Sequence, residues 1–243
     1  MFIAPLSLFP MNVFRFKQFE VDQSGCAMRI NTDGVLLAAM AECGQAARIL
    51  DIGTGTGVMA LMLAQRFPGT AIHAVEIDKE ASVTAGRNFM NSPFKERLWN
   101  HHTAIEDFKP SVRFDVLVSN PPFFINDLRN TKEKKGIARH ASPGFFAGLM
   151  AKADELLSRE GTFWFILPVK QAAFLIKTAQ SYGFDVLQLV YLHSDRSKPA
   201  FRWMVCLSRH TLGTKVEHFY IYEREKVYTA AYKELLKDFF LGY

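Results

Sequence analysis

The chain has 243 residues, 49% of them hydrophobic, enough to bury one sizeable core but too few to add a second enzyme. Three cysteines, Cys26, Cys43 and Cys206, are odd in number and widely spaced, which argues against a disulfide framework and for a reducing, cytoplasmic compartment. A formal net charge of +5 admits a polyanionic partner without naming one.

Residues 1–11 are apolar, carry two prolines and no basic leader, and are too short to span a bilayer. Residues 1–13 therefore read as a floppy extension, with Met11 an alternative start. No later stretch reaches transmembrane length, so no membrane association is expected. Residues 14–47 read as an N-terminal cap with a helix over 34–41 and Thr32 and Asp33 as candidate N-caps. From residue 48 the pattern alternates. Strands are predicted at 48–51, 71–76, 98–103, 114–119 and 161–168, and helices at 58–67, 79–91, 145–159 and 170–182. Such alternation implies an α/β fold with a mainly parallel, doubly wound sheet. Residues 185–192 and 201–208, joined by HSDRSKP, read as an antiparallel pair at one edge, and an amphipathic helix over 229–240 closes the chain. Without repeats or linkers, residues 1–243 read as one domain, with 48–243 as its core and C-terminal edge.

Within this alternation RILDIGTGTG, at 48–57, runs from a strand through Gly53, Gly55 and Gly57 straight into a helix. Glycines at such a turn let backbone approach a nucleotide-like ligand. Dinucleotide folds use GxGxxG to seat a pyrophosphate, whereas here Val58 follows Gly57 and the spacing is GxGxG, which weakens a NAD reading. Asp51, just ahead of the turn, is placed to organise it and to accept hydrogen bonds from a ligand amine, a group S-adenosylmethionine carries. Glu76 ends the next strand, nineteen residues after Gly57, where a carboxylate can take both ribose hydroxyls. Ile77 beside it packs either on an adenine face or in the core. In methyltransferases of this architecture an acid after the third strand often holds the adenine amino group. Here that region reads HTAIEDF, at 102–108; Glu106 is the first candidate, with Asp107 and the backbone near Ile105 as rivals.

FDVLVSNPPF, at 114–123, puts Asn120 at the carboxyl end of the fourth strand, beside the point where open α/β sheets bind ligands. An exocyclic amine or an amide nitrogen is a poor nucleophile, because its lone pair is delocalised. The Asn120 side-chain oxygen and the Pro121 carbonyl can each accept one N–H and aim that lone pair at a sulfonium methyl. Pro121 and Pro122 stiffen the turn, and Phe123 offers a face on which a planar group stacks. No strong base is needed, since the proton leaves after transfer has made the nitrogen cationic. The rival reading is a plain strand-ending turn with an aromatic staple. There is no HxxxH or Cys/His cluster, GxSxG elbow or Walker lysine, so no metal is expected. His101 and His102 read as strand residues.

Enzymes with NPPF or NPPY act on adenine, guanine or glutamine, so context must choose among them. Arg129, Lys132, Lys134, Lys135 and Arg139, with His140, follow Phe123 closely and would border the target's entrance. A base in folded RNA would swing out and stack on Phe123. A second basic stretch, 193–210, holds Arg196, Lys198, Arg202 and Arg209 against Asp195 alone. The alternatives are a protein glutamine methyltransferase and a non-catalytic RNA-binding module. Release-factor enzymes need a helical N-terminal substrate domain, and only 47 residues precede the first strand here.

Several blocks resemble the bacterial tRNA1(Val) adenine-37 N6-methyltransferases: FRFKQFEVDQSGCAMRINTDGVLLAAM at 14–40, LDIGTGTGVMALMLAQR at 50–66, AVEID at 74–78, FDVLVSNPPFF at 114–124, ARH at 138–140 and the ending YTAAYKELLKDFFL. The resemblance implies a Rossmann-like class I fold, S-adenosyl-L-methionine as donor and a tRNA anticodon arm as partner; a monomer is the expected state. It carries over Asp51, Gly53, Gly55, Gly57 and Glu76 as donor-binding positions and Asn120, Pro121, Pro122 and Phe123 as the catalytic motif. Thr32 and Asp33 are expected near the donor's methionine end, with helix capping as the rival. Where members of the family can carry an acid right after HTA, this chain has Ile105.

Overall fold

A computed structural model describes residues 12–122, 143–210 and 213–242. A short hairpin of β1 (Val13–Arg15) and β2 (Glu20–Asp22) leads into α1 (Thr32–Met40). The alternating part then follows as β3 (Arg48–Ile52), α2 (Val58–Arg66), β4 (Ala71–Glu76), α3 (Lys79–Met90), β5 (Leu98–His102), β6 (Phe114–Ser119), α4 (Pro143–Leu156), β7 (Leu157–Leu167) and α5 (Val169–Gln180). After it come β8 (Asp185–His193), β9 (Ala200–Ser208), β10 (Lys215–Tyr220), a small pair β11 (Tyr222–Arg224) and β12 (Val227–Tyr228), and α6 (Ala230–Leu236).

The main sheet has the order β10-β8-β9-β7-β6-β3-β4-β5. Strands β5, β4, β3, β6 and β7 are parallel, while β9 runs antiparallel to both β7 and β8. The chain moves outward from β3 to β5 and returns to place β6 on the other side of β3, so the switch point lies between β3 and β6. Side-chain alternation along the strands makes two apolar layers. Ile49, Val116, Val118, Trp164 and Ile166 pack with α1, α2 and α6, whereas Leu50, Leu117, Phe163, Phe165 and Leu167 pack with α4 and α5.

Four expectations are corrected. The hairpin-joined pair β8 and β9 is antiparallel but does not form the sheet edge, because β10 adds beyond β8 and runs parallel to it. The helix expected over 145–159 stops at Leu156, and β7 starts at Leu157 rather than at 161. Leu157 is fully buried and pairs with Phe114, so tertiary pairing overrides local helix preference there. The N-cap of α1 is Asn31, not Thr32 or Asp33; its side chain accepts from the Gly34 N–H. The closing helix is shorter than expected, Ala230–Leu236, and is capped by the Thr229 hydroxyl. The segment ahead of β3 packs on the core: Phe16, Phe19, Val21 and α1 join the apolar layer of α2, and the Lys17 N–H donates to the Phe239 carbonyl.

Candidate active site

Strand register brings the motifs together. Ile52 of β3 pairs with Ser119 of β6 on one side and with Val75 of β4 on the other. The residues one step further, Asn120, Gly53 and Glu76, therefore leave the sheet side by side at its carboxyl edge, astride the switch point. The Ser119 hydroxyl, donating to the Ile52 carbonyl at 2.9 Å, locks the β6 end against the glycine turn.

Gly53, Gly55 and Gly57 all have positive φ, at 74°, 57° and 84°. At Gly57 the need is also steric, because a Cβ there would stand 2.6 Å from Cε1 of Phe89. Val75 accepts the amides of Gly53 and Thr54, which bends the turn over β4. Glu76 is buried and spans the turn, its Oε2 accepting from the Gly55 N–H at 2.8 Å and its Oε1 from the Asp78 N–H at 2.9 Å. Each oxygen retains further lone-pair capacity. Asn88 fastens the same turn to the N-terminal hairpin, donating to the carbonyls of Thr56 and Asp22.

Asp51 is wholly buried beneath this turn. Its Oδ2 accepts from the Thr54 hydroxyl at 2.6 Å, whereas its buried Oδ1 has no hydrogen-bond partner among the described residues. Burial pushes its pKa up to about 7, helped by the Glu76 charge and opposed by the Thr54 hydroxyl and the nearby Ala60 amide. A buried acceptor of this kind suits a cationic donor supplied by a ligand.

Asn120 is partly buried, Pro121 is buried and Pro122 is partly buried. The Asn120 Nδ2 donates to Oδ1 of Asn31 at 3.2 Å, and no described residue donates to its Oδ1. Phe123, Arg129, Lys132, Lys134, Lys135, Arg139 and His140 lie outside the described residues. Ile77 is 52% exposed, so the core alternative for it fails. Glu106 and Asp107 are exposed on a 3-10 turn, Ile105–Asp107, while Ile105 is buried in the apolar layer. Thr32 is exposed in the first turn of α1, and Asp33 forms an ion pair with Arg202 of β9 at 2.7 Å. His101 and His102 lie in β5, where His101 meets His73 at 3.0 Å. A cavity of about 600 Å³ lined by Cys43, Trp164 and Cys206 opens at the other end of the strands, away from this crevice.

Known proteins resemble this chain in sequence and fold. The methyltransferase small domain family matches residues 27–179. The tRNA1(Val) (adenine(37)-N6)-methyltransferase of Pedobacter heparinus is 54% identical over 96% of this chain and 99% of its own length. The chain belongs to this family. The enzyme of the same name from Dyadobacter fermentans is 40% identical over 95% of this chain and 98% of its own length. Membership makes the chain a methyltransferase that uses S-adenosyl-L-methionine. The fold is shared more widely: a predicted O-methyltransferase from Agrobacterium tumefaciens superposes with a TM-score of 0.67 at 18% identity, covering 85% of this chain and 96% of that one.

Asn31, which accepts from the Asn120 side chain, is a residue that sequence reasoning did not single out. An Asn three residues before a glycine amide, at the head of a helix, is a strong N-cap signal. It was obscured by the adjacent Thr32 and Asp33, both good caps themselves. No group of three or more metal-ligating side chains occurs among the described residues, and none of their helices is long and apolar enough to cross a membrane.

Proposed function

We propose that this enzyme methylates the N6 amine of adenine in tRNA, and that its target is adenine 37 of tRNA1(Val), the base named for its relatives. The observation that supports the methyl-transfer chemistry is the in-step placement of Asn120 beside the glycine turn and Glu76, while the relatives' name supports the choice of base. S-adenosyl-L-methionine supplies an electrophilic methyl group on a sulfonium.

The chain's own groups do the rest. Asp51, through its unpartnered Oδ1, would hold the donor's ammonium. Glu76 would take the ribose hydroxyls with the lone pairs its two amide contacts leave over, and the positive-φ glycines keep the turn's backbone open to the ligand. Ile77, exposed beside Glu76, offers the adenine an apolar face, and Glu106 is the candidate for its amino group. Thr32, exposed in the first turn of α1, would lie near the donor's methionine end. Across the crevice, the Asn120 Oδ1 and the Pro121 carbonyl would each accept one N–H of the target amine, directing its lone pair out of conjugation. Pro122 stiffens that turn, and Phe123 would stack the flipped base. Arg129, Lys132, Lys134, Lys135, Arg139 and His140 would bind phosphates of the anticodon arm.

The test is incubation with methyl-labelled donor and either total bacterial tRNA or release factor, followed by nucleoside and amino-acid analysis. Label in N6-methyladenosine is expected. Label in glutamine of the release factor would overturn the tRNA reading. In the same assay Asn120→Ala should lower turnover by at least about a hundredfold, the scale of losing one aligned polar contact in a transition state, while donor affinity by calorimetry stays near that of the parent enzyme.

A further inference from the structure

We propose that Asn31 is a positioning residue that fixes which end of the Asn120 amide faces the target nitrogen. This inference rests on the role assigned to Asn120 above. An asparagine amide carries an acceptor at one end and donors at the other, nearly identical in shape, so packing alone does not choose between its two orientations. With Nδ2 facing the crevice, Asn120 would oppose a donor to the substrate's own N–H. Something must prevent that flip.

The constraint begins at a group that cannot flip. The backbone N–H of Gly34 is a fixed donor, and it points at the Asn31 side chain at 2.9 Å, so the atom there must be Oδ1. The same Oδ1 lies 3.2 Å from the Asn120 amide and can only receive a donor, so Nδ2 of Asn120 turns toward it. Oδ1 of Asn120 is left as the outward acceptor. One backbone amide thus sets two side-chain orientations in series.

The start of α1 is itself held still, which this relay requires. Val35 N–H donates to the Asn31 carbonyl at 3.3 Å, Arg202 grips Asp33 at 2.7 Å, and the Ile30 N–H donates to Gln23 Oε1 at 2.9 Å. Asn31 adopts the extended backbone of an N-cap, with φ −131° and ψ 162°. A capping residue thereby links the helix it starts to the catalytic turn 89 residues away.

Capping and positioning can be separated by substitution. Serine caps a helix about as well as asparagine, but its hydroxyl sits one bond closer to the backbone, short of Asn120. Asn31→Ser should therefore keep the parent melting temperature and the KM for donor while kcat falls about tenfold or more, the scale of a misaligned reacting group. Asn31→Asp, whose carboxylate accepts at both ends, should restore kcat to within about threefold of the parent. Asn31→Ala should lose both kcat and thermal stability. Independently of turnover, the side-chain amide protons of Asn120, assigned by their loss in Asn120→Ala, should shift in the NMR spectrum of Asn31→Ser and much less in that of Asn31→Asp. Parent kcat in Asn31→Ser, or an Asn31→Asp as slow as Asn31→Ser, would overturn the proposal. Failure of the unmutated enzyme to label tRNA would instead count against the substrate reading, and the same variants would then be compared on whichever acceptor takes the label.

Discussion

If Asp51 holds the donor's ammonium as proposed, a single buried group couples donor binding to pH. Its carboxyl, raised to about 7 by burial, lies above the unfolded value of about 3.9. Folding without the donor therefore favours the protonated form, and the stability this group contributes falls as pH rises from about 4 to about 7. A bound ammonium favours the carboxylate, so binding below about pH 7 must release a proton. Donor affinity should accordingly rise with pH, by up to about tenfold per unit, and level off near pH 7, before the donor's own amino group deprotonates near pH 8. Calorimetry in buffers of differing ionisation enthalpy would show the released proton. Asp51→Asn should flatten the profile and bind more weakly throughout; an unchanged profile would show that another group titrates.

The glycine turn shows why its composition is so restrictive at the level of elements. At Gly53 and Gly55 nothing lies within 4 Å of where a Cβ would stand, so only the positive φ is at stake. Gly57 combines positive φ with the close approach of Phe89 from α3. Gly57→Ala should cost at least about 2 kcal/mol from strain and overpacking together, lowering the melting temperature by roughly 4–8 °C for a chain of this size. Gly69→Ala, with ordinary φ and open space around it, is the control and should leave the melting temperature nearly unchanged. Equal effects at the two positions would refute the account. The same layer of contacts explains where element boundaries were and were not legible. Those of α2 and α3 fell within one residue of the sequence reading, since their apolar period and flanking turns are local. The start of β7 was not legible, because its pairing of Leu157 with Phe114 joins residues 43 apart.

Across the whole molecule, the carboxyl edge of the sheet gathers the turn at Asn120, the glycine turn and the hairpin between β8 and β9. That hairpin brings Arg196, stacked over Tyr220, and Arg202, paired with Asp33, to the edge where Asn120 leaves β6. The basic sequence at 126–140 begins four residues after Pro122. If its lysines meet phosphates, replacing Lys134 and Lys135 with alanine should weaken tRNA binding and reduce the slope of log K against log salt by about one to two. Fluorescence anisotropy across a salt series would measure this, and an unaltered slope would remove those lysines from the interface.

The sequence alone carried the α/β alternation, the glycine-rich turn and the Asn120-Pro121-Pro122 segment, because each is written in contiguous residues. Tertiary structure decided what depends on distant partners. It placed Asn120, Gly53 and Glu76 in step through paired strands, set β10 outside the antiparallel pair, and buried Asp51 with one oxygen unpartnered. It also joined Asn31 to Asn120. No local pattern records that contact, since a hydrogen bond across 89 residues exists only once the sheet and α1 are packed.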